Sequence, residues 1–272
     1  MAVFKILLLQ SLLLFSITGG LTHATATESL TIYFYSPEIN VTRNAVLKNT
    51  LDLYLKTQGA YQFQPVDNKE TFETLIENEN NAIFMMPNWH YLQLKKTSLQ
   101  TSTLVLRGIR NGKDTYHKIL VGKQSKLNLR TTSLATSGNE EYSRSVLGDI
   151  YSRKSVDQPS SLNILVVPKD IDALMAVGFG LAETALTTKS SLDKFSTLYH
   201  QQNQSLHILG ESQALKRLAV VFKQVPQTEH KKIQSVLQQM SKHKKGKRGL
   251  SILGLDDWRL MNGRINKNKG LE

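Results

Sequence analysis

The sequence of 272 residues contains no cysteine and none of the common catalytic motifs. The missing cysteines exclude disulfide bonds and thiol chemistry. No Gly-x-Ser-x-Gly, His-Glu-x-x-His or P-loop pattern occurs, and the 7 histidines lack the spacing of metal ligands. These absences predict a protein that is not an enzyme and that binds neither a cofactor nor a metal ion.

Long apolar runs are also missing beyond the N-terminus. Residues 1–5 carry one positive charge, residues 6–17 are almost continuously apolar, and residues 24–26 (Ala-Thr-Ala) have the small side chains of a cleavage site. The apolar run is shorter than the roughly 20 residues of a membrane-spanning helix. We therefore predict a signal peptide over residues 1–26 and an exported chain that begins at Thr27, located in the periplasm of a Gram-negative bacterium.

Acidic residues are few, with 22 Asp and Glu against 34 Lys and Arg and a net charge of +12. Much of the basic excess lies in polar runs at residues 242–248 and 264–269. Aromatic residues are not interleaved with these charges as in RNA-binding motifs, so no nucleic-acid partner is predicted. The charge favours anionic ligands, and contact with a membrane is expected only through a partner protein.

The first part of the mature chain alternates strand-like and helix-like segments. Residues 30–35, 61–65 and 82–86 have the pattern of strands, whereas residues 42–58 and 69–77 have helical periodicity. With 40% hydrophobic residues, the chain can bury a sizeable core. This βαβαβ order predicts an α/β fold in which a parallel sheet is covered by helices.

The middle of the sequence changes in character. Residues 101–109 and 116–121 are strand-like around a polar turn, which predicts a hairpin that leads into a second lobe. Residues 206–209 and 218–222 are expected to return to the first lobe. The other predicted elements are strands at 132–135, 162–167 and 181–187 and helices at 169–180, 230–240 and 249–253.

The segment Thr136-Ser137-Gly138 joins a predicted strand to a predicted helix. In one interpretation, the hydroxyl groups simply cap the free amides at the start of the helix. In the other, these hydroxyls and the amides after Gly138 bind an oxyanion, because the helix dipole is positive there. The residues alone leave both interpretations open.

Several segments, together with the order of the elements, resemble a known family. They are residues 35–38 (Tyr-Ser-Pro-Glu), 135–138 (Ala-Thr-Ser-Gly), 172–183 and 247–258. In these segments the sequence is similar to periplasmic solute-binding proteins of the phosphate, phosphite and phosphonate type. The resemblance spans nearly the whole mature chain.

This resemblance implies a two-lobed periplasmic binding protein fold of type II, with a ligand cleft between lobes that are joined by two crossing strands. The first lobe is expected to be discontinuous, at residues 27–112 and 205–272, and the second to span residues 113–204. The crossings are expected near residues 107–119 and 184–210.

The resemblance and the ends of the predicted strands together indicate a set of candidate ligand-binding residues. They are Tyr35, Ser36, Glu38, Asn88, Trp89, Thr136, Ser137, Gly138, Asn139 and Thr187. Those after the first strand, Tyr35 to Glu38, lie where open α/β sheets bind ligands. A plain turn at Ser36 and Pro37, with Tyr35 in the core, is the alternative.

The candidates after the third strand are expected in a loop. There Trp89 and Tyr91 offer surface for stacking, or else they cover the edge of the sheet. His90 is expected at the protein surface. Thr187 lies either in the cleft or in a plain loop.

The function implied by the resemblance is the capture of a small anionic ligand, a phosphate-like or phosphonate-like oxyanion, for an ABC transporter. The partner is then an inner-membrane permease, and lobe closure provides specificity. A sensory or interaction protein that feeds a membrane-bound kinase is an alternative on the same scaffold. A periplasmic hydrolase is a third and less favoured interpretation.

Overall fold

The computed structural model describes residues 29–38, 44–126, 132–159 and 161–261. The predicted signal peptide at residues 1–26 lies outside these ranges, as do the basic tail at 264–269 and the first two residues of the helix predicted from residue 42. The described strands form a six-stranded sheet, a five-stranded sheet and a small two-stranded sheet.

The first sheet is formed mostly by the N-terminal part of the chain. Its strands are β1 (Leu30–Phe34), β2 (Tyr61–Pro65), β3 (Ala82–Met86), β4 (Thr103–Ile109), β12 (Ala219–Lys223) and β13 (Asp257–Leu260), in the order β13-β4-β12-β3-β1-β2. Strand β1 is parallel to β2 and β3, and β12 is antiparallel to β3 and β4. The predicted βαβαβ start is confirmed, with α1 (Asn44–Leu55) and α2 (Lys69–Asn78) as its crossover helices.

The burial of these strands follows their position in the sheet. All five residues of the inner strand β3, Ala-Ile-Phe-Met-Met, are buried, whereas the edge strand β2 alternates buried and exposed residues. Along β1, Ile32 and Phe34 pack into one core cluster, while Tyr33 and the following Tyr35 pack into another. The first sheet is therefore covered on both faces, as expected for parallel strands.

The second sheet is built from the middle of the chain. Its strands are β6 (Lys118–Gly122), β7 (Ser133–Thr136), β8 (Asn163–Val166), β9 (Thr184–Thr188) and β10 (His207–Glu211), in the order β10-β6-β9-β7-β8. Strand β7 is parallel to β8 and β9, and β6 is antiparallel to β9 and β10. The accompanying helices are α4 (Glu140–Ser152), α5 (Asp170–Gly178), α6 (Lys189–Leu198) and the short α7 (His200–Asn203).

Two segments connect the sheets and run side by side. The first contains β5 (Thr115–Tyr116) and the second contains β11 (Leu215–Lys216), and these two strands pair antiparallel. The predicted hairpin of residues 101–109 with 116–121 is wrong, because β4 and β6 pair in different sheets. The predicted return of residues 206–209 to the first lobe is also wrong. Strand β10 pairs with β6, so the return follows it at residues 212–218.

Further helices pack on the first sheet. They are α3 (Asn88–Leu94), which follows β3, and α8 (Gln227–Gln238) and α9 (Lys244–Ile252), with a 3₁₀ turn at Gln239–Lys242. Ile233, Leu237 and Leu250 bring α8 and α9 into the main core cluster. None of the helices in the described part of the chain has the length and apolar character that a bilayer crossing requires.

Candidate ligand-binding cleft

The N-terminus of α4 faces the carboxyl end of β1. Asn139 is the N-cap of α4, and its side-chain oxygen accepts a hydrogen bond from the Tyr142 amide at 3.0 Å. Its amide group donates to the Tyr35 hydroxyl at 3.2 Å, which joins the second sheet to the first. The predicted plain cap at Thr136 or Ser137 is therefore wrong, because Asn139 has that role.

Thr136 and Gly138 shape the turn before this helix. Thr136 is fully buried, its Oγ1 accepts a hydrogen bond from the Gly138 amide at 3.1 Å, and it lies 3.1 Å from Oγ of Ser143. A Cβ atom on Gly138 would lie only 2.5 Å from the Tyr142 ring. A side chain is excluded there by this close approach, and the Thr136 hydroxyl is fully used within the protein.

Glu38 lies at the centre of a polar cluster that spans both sheets. The hydroxyls of Tyr142 and Tyr116 lie 2.6 and 3.2 Å from its Oε1, and 2.9 Å from each other. The Lys118 ammonium lies 3.2 Å from the same oxygen. Glu38 follows the first strand, whereas Lys118 and Tyr142 belong to β6 and α4, so one carboxylate gathers groups from both sides.

Lys118 also bonds a second carboxylate. Its Nζ donates to Oδ1 of Asp170 at 2.9 Å, and the Ser137 hydroxyl donates to the same oxygen at 2.5 Å. Thr187 lies within β9, fully buried, and its hydroxyl donates to the Asp170 carbonyl at 3.0 Å. The predicted loop at Thr187 is thus wrong, because this residue is part of a strand that supports Asp170.

Burial and charge determine the protonation of this cluster. Burial lowers the pKa of Lys118, but the charges of Asp170 and Glu38 outweigh it and raise the pKa above its ordinary value. Burial and the Glu38 charge raise the pKa of both Tyr116 and Tyr142. The cluster therefore keeps a charged ammonium and neutral phenols that can donate hydrogen bonds.

Tyr35 and Ser36 lie at the edge of the cluster. Tyr35 is buried in the core cluster on one face of the first sheet, and burial raises its pKa to about 12. The Ser36 hydroxyl accepts a weak hydrogen bond from the Glu38 amide at 3.4 Å. Ser36 therefore supports the turn that positions Glu38, while the Tyr35 hydroxyl reaches the start of α4.

The residues after β3 form helix α3 and not the predicted loop. Asn88 is buried, and its side-chain oxygen accepts a hydrogen bond from Arg107 at 2.5 Å. Trp89 stacks on Tyr142 at 6.0 Å and packs against the core of the second sheet. Trp89 therefore bridges the sheets, whereas the Asn88 side chain is held by Arg107.

His90 is not at the surface as predicted. Its side chain is 0% exposed, and its Nε2 lies 2.8 Å from Oε1 of Glu73. It packs against Tyr35, Phe72 and Trp89. His90 is buried because it lies in the first turn of α3, and this helix packs on the sheet.

Four side chains of the polar cluster were not among the candidates predicted from the sequence. They are Tyr116, Lys118, Tyr142 and Asp170. Asp170 also lies in the first turn of α5, where a negative charge is favourable. One feature of the sequence does point to Lys118, because this charged residue begins the otherwise apolar strand Lys-Ile-Leu-Val-Gly. In the described ranges, no group of three or more His, Asp and Glu side chains is placed to hold a metal ion.

Comparison with known proteins identifies the family. The profile of a family described as the periplasmic substrate-binding protein of a phosphonate ABC transporter matches residues 31–263. The chain belongs to this family. The match covers both sheets and the residues of the cleft, and it confirms the resemblance found in the sequence.

Solved structures show the same fold at low sequence identity. A binding-protein component of an ABC phosphonate transporter from Pseudomonas aeruginosa has a TM-score of 0.63 and 11% identity, covering 86% of this chain and 82% of its own. PhnD1 from Prochlorococcus marinus, in complex with methylphosphonate, has a TM-score of 0.63 and 10% identity, covering 89% and 95%. A protein from Xanthomonas citri bound to ATP has a TM-score of 0.60 and 13% identity, covering 87% and 92%. Comparison with curated protein sequences finds no match.

Membership in the phosphonate-binding family determines the general role of the chain. It is a periplasmic substrate-binding protein with the two-lobed α/β fold, it serves an ABC transporter, and its partners are a small-molecule ligand and a membrane permease. The family is one of solute-binding proteins and not of enzymes. Neither the family nor these structures favour the sensory alternative with a membrane-bound kinase.

Proposed function

We propose that the chain binds a phosphonate or a closely similar oxyanion at the N-terminus of α4, between the two sheets, and delivers it without chemical conversion. The single observation that carries this proposal is the cluster around Glu38. In it, the Glu38 side chain in the turn after β1 lies within hydrogen-bond distance of side chains from β5, β6 and α4. A ligand held at this point contacts both lobes and stabilises their closure.

The start of α4 supplies donors for an anion. In the described part of the chain, no hydrogen bond engages the amides of Asn139, Glu140 and Glu141. The two acidic side chains of this first turn are each balanced, Glu140 by Arg144 at 2.8 Å and Glu141 by Lys69 at 3.0 Å. The positive end of the helix dipole therefore remains available to a ligand oxyanion.

The remaining cleft residues complete the proposed site. The Tyr35 hydroxyl accepts a hydrogen bond from Asn139 and keeps its own proton for the ligand. The single Ser137 proton turns from Asp170 to the ligand on binding, and Trp89 provides an apolar surface for the organic part of the ligand. Thr136, Gly138 and Thr187 position these groups, as do Ser36 and Asn88. In this proposal Glu38 and Asp170 orient donors and do not contact the anion themselves.

The domain division and the export signal belong to the same proposal. We propose a first lobe that includes residues 27–112 and a second lobe that begins at residue 113, with the return to the first lobe moved behind β10. Cleavage after Ala26 releases a chain that begins at Thr27. N-terminal sequencing of the periplasmic fraction tests the cleavage, and a chain that retains Met1 contradicts it.

A thermal-shift screen followed by calorimetry on the mature protein tests the ligand class and the site together. A thermal-shift screen with methylphosphonate, phosphite, phosphate and sulfate identifies the ligand, since binding to the folded state raises the melting temperature. Ser137→Ala is then expected to weaken binding about tenfold or more, because a hydrogen bond to a charged group contributes roughly 1.5 to 3 kcal/mol.

A matched serine provides the control for this substitution. Ser102 and Ser137 are both 7% exposed, and the Ser102 hydroxyl donates to the Leu99 carbonyl at 2.6 Å, away from the cleft. Ser102→Ala should lower the melting temperature and leave affinity unchanged. Equal affinities of both variants and the unmodified protein would place the ligand elsewhere. No response to any phosphorus oxyanion would refute the proposed ligand class.

A further inference from the structure

Two carboxylates of the cleft share one buried cation. The Lys118 ammonium lies 3.2 Å from Oε1 of Glu38 and 2.9 Å from Oδ1 of Asp170, and its side chain is only 2% exposed. The backbone of Lys118 is fixed as well. Its amide donates to Oγ of Ser212 at 3.0 Å, and its carbonyl accepts from the Ser212 amide at 2.9 Å. Lys118 is therefore a built-in part of the cleft.

The two carboxylate oxygens that Lys118 contacts already have several hydrogen-bond donors within the protein. Oε1 of Glu38 has three neighbouring donors, namely Lys118, Tyr116 and Tyr142, and Oδ1 of Asp170 has Lys118 and Ser137. A carboxylate pair without such partners would attract the ammonium group of a ligand. Here that ammonium is supplied by the protein, and a second cation beside it would meet like-charge repulsion in a poorly hydrated space.

We propose that Lys118 occupies the position that a ligand ammonium group would need, so that the cleft selects phosphonates without an amino substituent over aminoalkylphosphonates. This inference rests on the proposed phosphonate function of the same cleft. Lys118 acts as a specificity-determining residue, because its charge both balances Glu38 and Asp170 and excludes a competing ammonium.

A matched pair of probes isolates the amino group. Ethylphosphonate and 2-aminoethylphosphonate share the phosphonate and the two-carbon chain and differ in the amino group alone. The unmodified protein is expected to bind ethylphosphonate at least about tenfold more tightly in calorimetry, which is a difference of about 1.4 kcal/mol. Preference for 2-aminoethylphosphonate would overturn the inference while leaving the phosphonate function intact. Binding of neither probe, nor of methylphosphonate or phosphite, would remove the proposed function and the inference with it.

Substitutions at the cation sharpen the test. Lys118→Met removes the charge and keeps the length of the side chain, so the two carboxylates become free for a ligand ammonium. The ratio of affinities should shift toward 2-aminoethylphosphonate by at least about tenfold. Lys118→Arg keeps the charge and should retain the preference for ethylphosphonate. An equal loss of both affinities in Lys118→Met would mean that Lys118 binds the phosphonate directly, against the inference.

A variant of one carboxylate keeps the test decisive if Lys118→Met folds poorly. Glu38 is partly exposed, and Glu38→Gln removes one negative charge while Lys118 remains. The discrimination against 2-aminoethylphosphonate should then increase, because the positive charge of Lys118 is less well neutralised and repels the ligand ammonium more strongly. An unchanged or reversed discrimination in this folded variant would contradict the inference.

Discussion

Two buried lysines, one at the cleft and one at the far end of the first sheet, show how differently the same side chain is used. Lys118 begins β6 at the cleft and bonds the carboxylates of Glu38 and Asp170. Lys223 ends β12 opposite the start of β3, at the end away from the cleft, and is 8% exposed. Its Nζ donates to the carbonyls of Ile76 at 2.5 Å and Glu77 at 3.1 Å.

The partners determine what each lysine does. The carbonyls bonded by Lys223 belong to the last turn of α2, where backbone acceptors lack helical partners and the dipole is negative. Lys223 therefore completes a helix end, which is a contribution to stability alone. Lys118 balances full charges in the proposed ligand cleft, so we expect its removal to change both stability and ligand preference. Each of the following predictions tests this contrast between the cleft and the far end.

The largest effect is expected from Lys118→Met. Removal of one partner from a buried ion pair leaves an uncompensated charge and typically costs about 3 to 5 kcal/mol. Urea unfolding should show a loss of this size, with the midpoint shifted to lower denaturant and the slope unchanged. A loss below about 1 kcal/mol, the range of exposed ion pairs, would mean that the cluster is hydrated in solution.

The next largest effect is expected from Lys223→Met. Two carbonyls at the end of α2 lose a charged donor, and hydrogen bonds to charged groups contribute about 1.5 to 3 kcal/mol. The free energy of unfolding should decrease by an amount in this range. The ligand affinity of the variant, measured by calorimetry, should equal that of the unmodified protein. A changed affinity would break the contrast, since it would couple the far end of the sheet to the cleft.

Only the parts of the fold that depend on local sequence patterns could be predicted from the sequence. The βαβαβ start follows from local patterns, such as the apolar run of β3 and the helical periodicity of α2. The hairpin prediction failed because β4 and β6 look like neighbours in the chain, while their partners β12 and β10 come from distant segments. Local patterns indicate strands, but pairing depends on which distant segment covers an edge.

The residues of the candidate cleft could be predicted where strands end, and less well where charges are buried. Tyr35 bonds Asn139, and Glu38 bonds Tyr142 of the helix that Asn139 caps, because the carboxyl ends of strands lead into the candidate cleft. Lys118 was missed because a lysine at the start of a strand usually lies in solvent. Asn88 and His90 were expected in a loop because they follow the end of the third strand, yet the preceding Pro87 is also favoured at the start of a helix.

A smaller effect is expected from the two asparagine caps. Asn68 caps α2 and Asn139 caps α4, each by accepting a hydrogen bond from an amide of the first turn. Asn68→Ala and Asn139→Ala should each lower the free energy of unfolding by about 1 kcal/mol. Only Asn139→Ala should also weaken ligand binding, because its side chain also bonds Tyr35. Equal affinities of the two variants would show that the start of α4 does not contact the ligand.

The smallest effect concerns His90, a buried titratable group at the cleft end. Burial lowers its pKa below the ordinary value of 6.5, and the Glu73 carboxylate partly opposes this shift. At acidic pH the unfolded chain therefore binds a proton that the folded protein resists. The contribution of neutral His90 to the free energy of unfolding is complete above pH 6.5. It is lost as the pH falls through the folded-state pKa of His90.

Urea unfolding at a series of pH values from about 8 to 5 measures this dependence. His90→Asn removes the titrating group, so its stability should decline less with falling pH than that of the unmodified protein. The difference between the two proteins should be constant above pH 6.5 and should narrow below it. Parallel curves over the whole range would mean that His90 binds its proton equally well in the folded and unfolded states. The acid sensitivity of the cleft end would then arise from other groups, and the contrast with the far end would rest on the lysines alone.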